Sequence, residues 1–175
     1  MARKVVIIGP ESTGKSTLCK QLANHYNTHW CPEYARDYLT KNGKDYNYAD
    51  LLTIAKGQIN LETSLENKFN DKSLLFFDTN LYVMKVWCEF VFNKCHDWIL
   101  KEIASRHYDL YLLCDIDLPW TKDELREYPD IATRKNLFNI YKDLLLNQQT
   151  PWATISGTEG ERLEAAIIAV DAFGK

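Results

Sequence analysis

A chain of 175 residues, 46% hydrophobic and 13% aromatic, is long enough to bury its own core and reads as globular rather than disordered. Its net charge of −3, with no dense Lys/Arg block, excludes the electrostatic footprint of a nucleic-acid or anionic-membrane binder, and no apolar run approaches membrane-spanning length. A small molecule is the partner that remains.

The chain opens with Lys4 to Thr17, K-V-V-I-I-G-P-E-S-T-G-K-S-T. Val5 to Ile8 is an apolar, β-branched run, as expected of a strand covered on both faces. It leads into a loop where Gly9, Gly14, Lys15 and Ser16 fill every fixed position of G-x-x-x-x-G-K-[ST]. In such a loop the backbone N–H groups and the following helix N-terminus cradle phosphates, the lysine reaches the outer phosphates, and the serine hydroxyl reaches Mg2+. A plain glycine turn between strand and helix is the alternative, but a turn has no use for Lys15 and Ser16.

Leu18, Leu22 and Ala23 recur at helical spacing, so a helix should run from Ser16 to about Tyr26. A short second strand fits Thr28 to Cys31, closed by Pro32 and followed by Glu33-Tyr34-Ala35-Arg36-Asp37-Tyr38-Leu39. Asn42-Gly43 breaks the pattern, and Tyr48 to about Asn70 reads as one long helix with Leu51, Leu52, Ile54, Ala55, Ile59 and Leu65 on its apolar side. Leu74 to Phe77 is a second continuous apolar run and ends in Asp78. Helical patterning covers Leu81 to Phe92 and Asp97 to Arg106. Leu110 to Cys114 is another strand, and the polar stretch that follows, about 115–134, interrupts the pattern like a lid. A helix from Arg134 to about Asn147, a strand from Trp152 to Ile155, a Ser156-Gly157 turn and a helix from Glu161 to Phe173 complete the chain.

Alternating strands and helices imply a single α/β domain over 1–175, a P-loop NTPase of the nucleotide monophosphate kinase-like three-layer sandwich type. The expected parallel sheet has about five strands, and its ligands sit beyond the carboxyl ends of the strands. Five cysteines, an odd number without a C-x-x-C pair, read as free thiols of a reducing compartment rather than as metal ligands. Met1-Ala2-Arg3-Lys4 leads directly into the first strand and leaves no room for a targeting peptide, so the expected location is the cytoplasm.

Phosphoryl transfer needs a phosphate cradle, Mg2+, positive charge on the transferring group and a positioned acceptor. Ser16 and Asp78 are the candidate Mg2+ partners, Asp78 directly or through water, unless Asp78 merely caps the helix at Leu81. Arg126 and Arg134 are the candidate arginines for phosphate, beside Lys15. Glu33, at the end of the second strand, is placed to accept a hydroxyl proton, and Arg36 to orient the acceptor. The same residues also suit an amphipathic helix start, with Glu33 on the helix dipole and Arg36 paired to a neighbouring carboxylate. Chemistry alone leaves both open.

G-P-E-S-T-G-K-S-T, P-E-Y-A-R-D-Y-L, I-A-K-G-Q, F-D-T-N-L, V-W and D-E-L-R, in this order, resemble the ribosylnicotinamide kinase domain of the NadR family over essentially the whole chain. The resemblance implies transfer of the ATP γ-phosphate to the ribose 5′-hydroxyl of nicotinamide riboside, a step of NAD salvage. It implies that Gly9, Glu11, Ser12, Thr13, Gly14, Lys15, Ser16 and Thr17 hold the triphosphate. It also implies that Glu33, Arg36 and Gln58 face the riboside, that Asp78 sits beside Mg2+ and acceptor, and that Arg126 lies in the lid. A positive nicotinamide ring calls for aromatic faces and carboxylates, which offers Tyr34, Trp30 and Trp87 for stacking. Complete family members also carry a DNA-binding segment and an adenylyltransferase domain with H-x-G-H; His25, His29, His96 and His107 form no such motif, so those activities are not implied. Two other readings stand beside this one: a kinase for another nucleoside or small alcohol, and an ATP-binding regulatory switch with no acceptor.

Overall fold

The computed structural model describes residues 2–69 and 74–173. Along them run the strands β1 (Arg3–Ile8), β2 (His29–Cys31), β3 (Leu74–Asp78), β4 (Leu110–Cys114) and β5 (Trp152–Ile155). The helices are α1 (Lys15–His25), α2 (Tyr34–Asn42), α3 (Tyr48–Lys68), α4 (Leu81–Phe92), α5 (Asp97–Ser105), α6 (Ile131–Leu146) and α7 (Glu159–Phe173). Every strand pairing is parallel, in the order β2-β3-β1-β4-β5.

The continuous apolar runs predicted to be strands covered on both faces are so covered. Val5 and Ile7 of β1, with Phe76, Leu110 and Leu112, pack against Leu18 and Leu22 of α1 and Ala166 and Val170 of α7. Val6 and Ile8, with Phe77, Tyr111 and Leu113, face Val86 of α4 and Leu137, Tyr141 and Leu145 of α6. A third cluster joins α2 to α5 through Ala35, Leu51, Ile54, Leu81, Met84 and Ile99. Each fully buried aliphatic or aromatic side chain contributes about 1.5–3 kcal/mol by leaving water, so these clusters carry the fold.

Register places the site. Ile7 lies opposite Asp78, and Cys31 opposite Phe77, so β1, β2 and β3 end nearly level. The loop after β1, Glu33 after β2 and Asp78 at the end of β3 therefore meet beyond the carboxyl ends of these strands. Among the described residues no helix is long and apolar enough to cross a membrane.

The departures from expectation lie at helix ends. The helix expected from Arg134 begins three residues earlier, because the Asp130 carboxylate accepts the Thr133 N–H at 2.7 Å and caps it. The irregular segment between β4 and α6 is thus 115–130 rather than 115–134. The last helix starts at Glu159 rather than Glu161. The helix that begins at Leu81 is capped by Asn80, whose side chain accepts the Tyr82 N–H at 3.0 Å, so the alternative that made Asp78 the cap is excluded. Asn70, the expected end of the long helix, lies outside the described residues; the described helix ends at Lys68.

Candidate active site

The loop after β1 turns through conformations that its sequence makes possible. Gly9 has φ 140, and a Cβ there would stand 2.7 Å from the Cys114 carbonyl oxygen, so only glycine lets β1 and β4 close at this point. Gly14 has φ 78 and precedes α1, whose first amides open toward the loop. Ser12 has φ 58 and is held in that strained conformation by its neighbours. Its hydroxyl accepts the Thr121 N–H at 2.9 Å, and its carbonyl accepts Arg134 Nη2 at 3.4 Å. The Thr13 hydroxyl and Lys15 Nζ both donate to the Pro10 carbonyl, each at 2.8 Å.

A cavity of about 250 Å³ opens above this loop. Its floor is Gly9 to Thr17, and Glu33 and Arg36 come from the start of α2. One wall is the α4 face Val83, Val86, Trp87, Phe90 and Val91, with Leu137 and Tyr141 of α6 behind it; Arg126 and Tyr128 close the rim. The site thus has a polar end rich in amide donors and an apolar, partly aromatic end.

Asp78 stands beneath the polar end, 2% exposed. Burial raises its pKa, the Ser16 hydroxyl opposes the rise, and its Oδ1 is buried without a hydrogen-bond partner. An orphaned carboxylate oxygen beside a loop serine fits the needs of Mg2+, a hard cation that keeps several waters and takes few protein oxygens. Among the described residues no three His, Cys, Asp or Glu side chains gather into a closed metal cage, so an ion here would rely on Ser16, Asp78 and phosphate oxygens. The residue after Asp78 is Thr79, β-branched at φ 71 and anchored by its N–H to the Ile7 carbonyl at 3.0 Å. Strain of this kind concentrates where a neighbouring side chain must be aimed.

Glu33 is the residue preceding α2, and its carboxylate makes no capping bond. Burial, reinforced by the Asp78 carboxylate, pushes Glu33 up to about 7, against the pull of Lys15 and Arg36. Burial raises Asp78 too, opposed by the Ser16 hydroxyl and by Lys15, Lys20 and Arg36. The Asp78 carboxylate thus helps to keep a proton on Glu33 near neutral pH.

The other predicted residues fall into two groups. Trp87 lines the cavity while its Nε1 donates to the Tyr46 hydroxyl at 2.9 Å. Arg36 lines it and also pairs with Asp123 at 3.0 Å, a carboxylate from the 115–130 segment rather than from its own helix. Arg126 lines it with Nη1 donating to the Thr121 carbonyl. Glu11 lines it and accepts the backbone N–H groups of Glu127, at 2.9 Å, and Tyr128. Burial raises Glu11, and those same amides oppose the rise.

Asp78, buried beneath the loop, does not itself line the cavity, and neither do Gln58, Tyr34, Arg134 and Trp30. Gln58 is 2% exposed and directs its amide to the first turn of α2. The Tyr34 ring lies over Gly57, where a Cβ would come within 2.1 Å of it. Arg134 binds the Ser12 and Leu118 carbonyls, so it braces the loop from behind. Trp30 packs beneath α1 with Lys20 over its ring at 5.2 Å.

Sequence reasoning missed the apolar wall and Arg162. The wall had a signal: L-Y-V-M-K-V-W-C-E-F-V-F is apolar nearly all round, so α4 has a second face that its core contacts do not use. Arg162 shares a stripe with Ala166 and Val170, and so points inward. It is 3% exposed and binds the carbonyls of Thr13, Ile155, Asp115 and Gly157 and the Asp117 carboxylate, joining the loop to the ends of β4 and β5.

Residues 4–162 match the family model described as AAA domain. The chain is 33% identical over 150 residues to the trifunctional NAD biosynthesis/regulator protein NadR of Escherichia coli (strain K12), covering 82% of this chain and 35% of that protein. The NadR of Salmonella typhimurium gives the same identity and coverage. A crystal structure of NadR in complex with NR superimposes with a TM-score of 0.80 at 24% identity, over 98% of this chain and 49% of that one. Deoxyadenosine kinase from M. mycoides with bound dATP gives 0.61 at 11%, over 97% and 99%. The chain thus spans about a third of the curated relatives it matches and about half of the NadR crystal chain. The structural likenesses establish a nucleoside kinase-like fold around a parallel five-stranded sheet.

Proposed function

The chain belongs to the AAA domain family, and on that premise we propose that it is an ATP-dependent kinase whose acceptor is nicotinamide riboside. The observation that carries this reading is Glu33 lining one cavity with Lys15 and Ser16, its carboxyl raised by burial and by Asp78 at the end of the adjacent strand. The sequence likeness to NadR and the NadR structure with NR support the choice of acceptor. So does the cavity, since a positively charged ring is favoured by carboxylates and aromatic faces, and Glu33, Trp87, Phe90 and Tyr141 line it.

In this reading the loop amides and Lys15 hold the β- and γ-phosphates of ATP, and Mg2+, held through Ser16 and Asp78, would neutralise charge developing on the phosphoryl group. The ribose 5′-hydroxyl oxygen forms a bond to the γ-phosphorus as the bond from that phosphorus to the bridging oxygen of ADP breaks. The hydroxyl proton passes to Glu33, a base already poised near neutral pH. Arg126 spreads its donors over the transferring oxygens, and segment 115–130 serves as the lid that keeps water out.

The test is ADP release from Mg-ATP, with nicotinamide riboside, common nucleosides and no acceptor run in parallel. Stimulation by nicotinamide riboside, with nicotinamide mononucleotide formed in equal amount to ADP, is the expected result. Stimulation by another nucleoside alone would discard the acceptor and keep the reaction. ATP binding without any acceptor-dependent ADP release would overturn the kinase reading in favour of a switch.

A further inference from the structure

A helix begins with amides that have no partner within it, and the residue before it usually turns its own side chain back to satisfy one. Glu33 occupies that position before α2 and does not do so. The first amide, Tyr34 N–H, is instead accepted by Gln58 Oε1 at 2.9 Å, from the middle of α3. Gly57 makes this approach possible, because any side chain there would collide with the Tyr34 ring. Gln58 in turn is fixed by Glu62, one turn further along α3: Gln58 Nε2 donates to Glu62 Oε1 at 3.2 Å. Glu62 has no exposed side-chain surface, its other oxygen accepts the Tyr108 hydroxyl at 2.6 Å, and Arg106 Nη1 lies 3.8 Å away. An amide flipped end for end would set its NH2 group against Tyr34 N–H and its oxygen against the Glu62 carboxylate. Glu62 therefore dictates which way Gln58 faces.

We infer that Gln58 and Glu62 are positioning residues for Glu33: capping α2 from a neighbouring helix relieves Glu33 of the capping role and leaves its carboxylate turned into the cavity. The inference rests on the reading of Glu33 as the acceptor-side base. It assigns Gln58 a role without substrate contact, and it assigns a buried acid the task of orienting an amide.

The experiment is a double-mutant cycle assayed with Mg-ATP and nicotinamide riboside. In Gln58→Met the inference expects kcat to fall about tenfold or more, as misplacement of a reacting group does, with the KM for ATP changing less than about threefold. It also expects faster hydrogen exchange at the Tyr34 amide than in the wild type. In a Glu33→Gln background the same substitution should cost less than about threefold, because the carboxylate it positions is gone. The exchanged pair Gln58→Glu with Glu62→Gln keeps an acceptor for Tyr34 N–H, a bond between the two side chains and an acceptor for Tyr108. It should restore kcat to within about threefold of the wild type. Should Gln58→Met not fold, Gln58→Asn, one methylene too short to reach both Tyr34 and Glu62, takes its place with the same expectations.

Unchanged kcat in the Gln58 variant, or equal losses in both backgrounds, overturns the inference. Unchanged kcat in Glu33→Gln by itself overturns the acceptor-side reading of Glu33, a separate result that the cycle reads first.

Discussion

Glu62 makes the stability of this fold depend on pH. Burial pushes it up to about 7, against hydrogen bonds from Tyr108 and Gln58 and the charge of Arg106, while in the unfolded chain it returns to its ordinary 4.5. Between those two values the folded chain holds a proton that the unfolded chain has released, so stability falls as pH rises through that window and levels off above it. Relative to the protonated form, such a carboxylate lowers stability by roughly 1 kcal/mol at pH 5.5 and roughly 3 kcal/mol at pH 8, a further loss of about 2 kcal/mol between them. Glu62→Gln cannot titrate and should lose that increment. Urea unfolding of wild type and variant at pH 5.5 and pH 8 reads the difference. Glu33 titrates in the same sense, so only the wild-type loss minus the variant loss isolates Glu62. The variant should gain about 2 kcal/mol on the wild type between the two pH values. Equal losses in both proteins would refute the reasoning.

The raised Glu33 also predicts the rate profile: kcat/KM for the acceptor should climb as pH rises through about 7, where the base becomes free, and Glu33→Gln should flatten that limb as well as lower it. Arg126→Ala should lower kcat by about 10–100-fold with a smaller effect on the KM for ATP, if its fork acts on the transferring phosphate; steady-state kinetics in which only the ATP KM moves would assign it to ground-state binding. Gly9→Ala adds a Cβ 2.7 Å from the Cys114 carbonyl at φ 140 and should cost about 2–4 kcal/mol in denaturant unfolding, with ATP binding weakened in parallel.

The sheet and its helices were legible because most strands are short apolar runs and most helices carry a 3.6-residue stripe, signals that burial writes directly into composition, whereas β2, His29-Trp30-Cys31, was marked mainly by the Pro32 that closes it. The phosphate loop was legible because its backbone demands glycine at Gly9 and Gly14. Helix ends were less so: Asp130 reads as one more charge in a polar stretch until its carboxylate is seen on the Thr133 N–H. Gln58 is the instructive case. The resemblance implied that it faces the riboside, but spacing along a helix does not say whether a buried amide faces a cavity or a neighbouring helix terminus, and here it faces the terminus. Arg162 lay beyond reach for a similar reason, since most of its partners are carbonyls, on three separate segments, and carbonyls have no sequence signature.

The segment from Asp115 to Asp130 has no helix or strand, and what fixes it is largely the phosphate loop: Glu11 holds the amides of Glu127 and Tyr128, and Ser12 holds that of Thr121, 109 residues further along the chain. A molecule that grips the loop must therefore tighten this surface strap, and one that displaces Glu11 must slacken it. The exposed Lys122 sits between those fastenings. Its susceptibility to trypsin becomes a gauge of what the loop is holding, readable on a gel without any measurement of phosphate transfer.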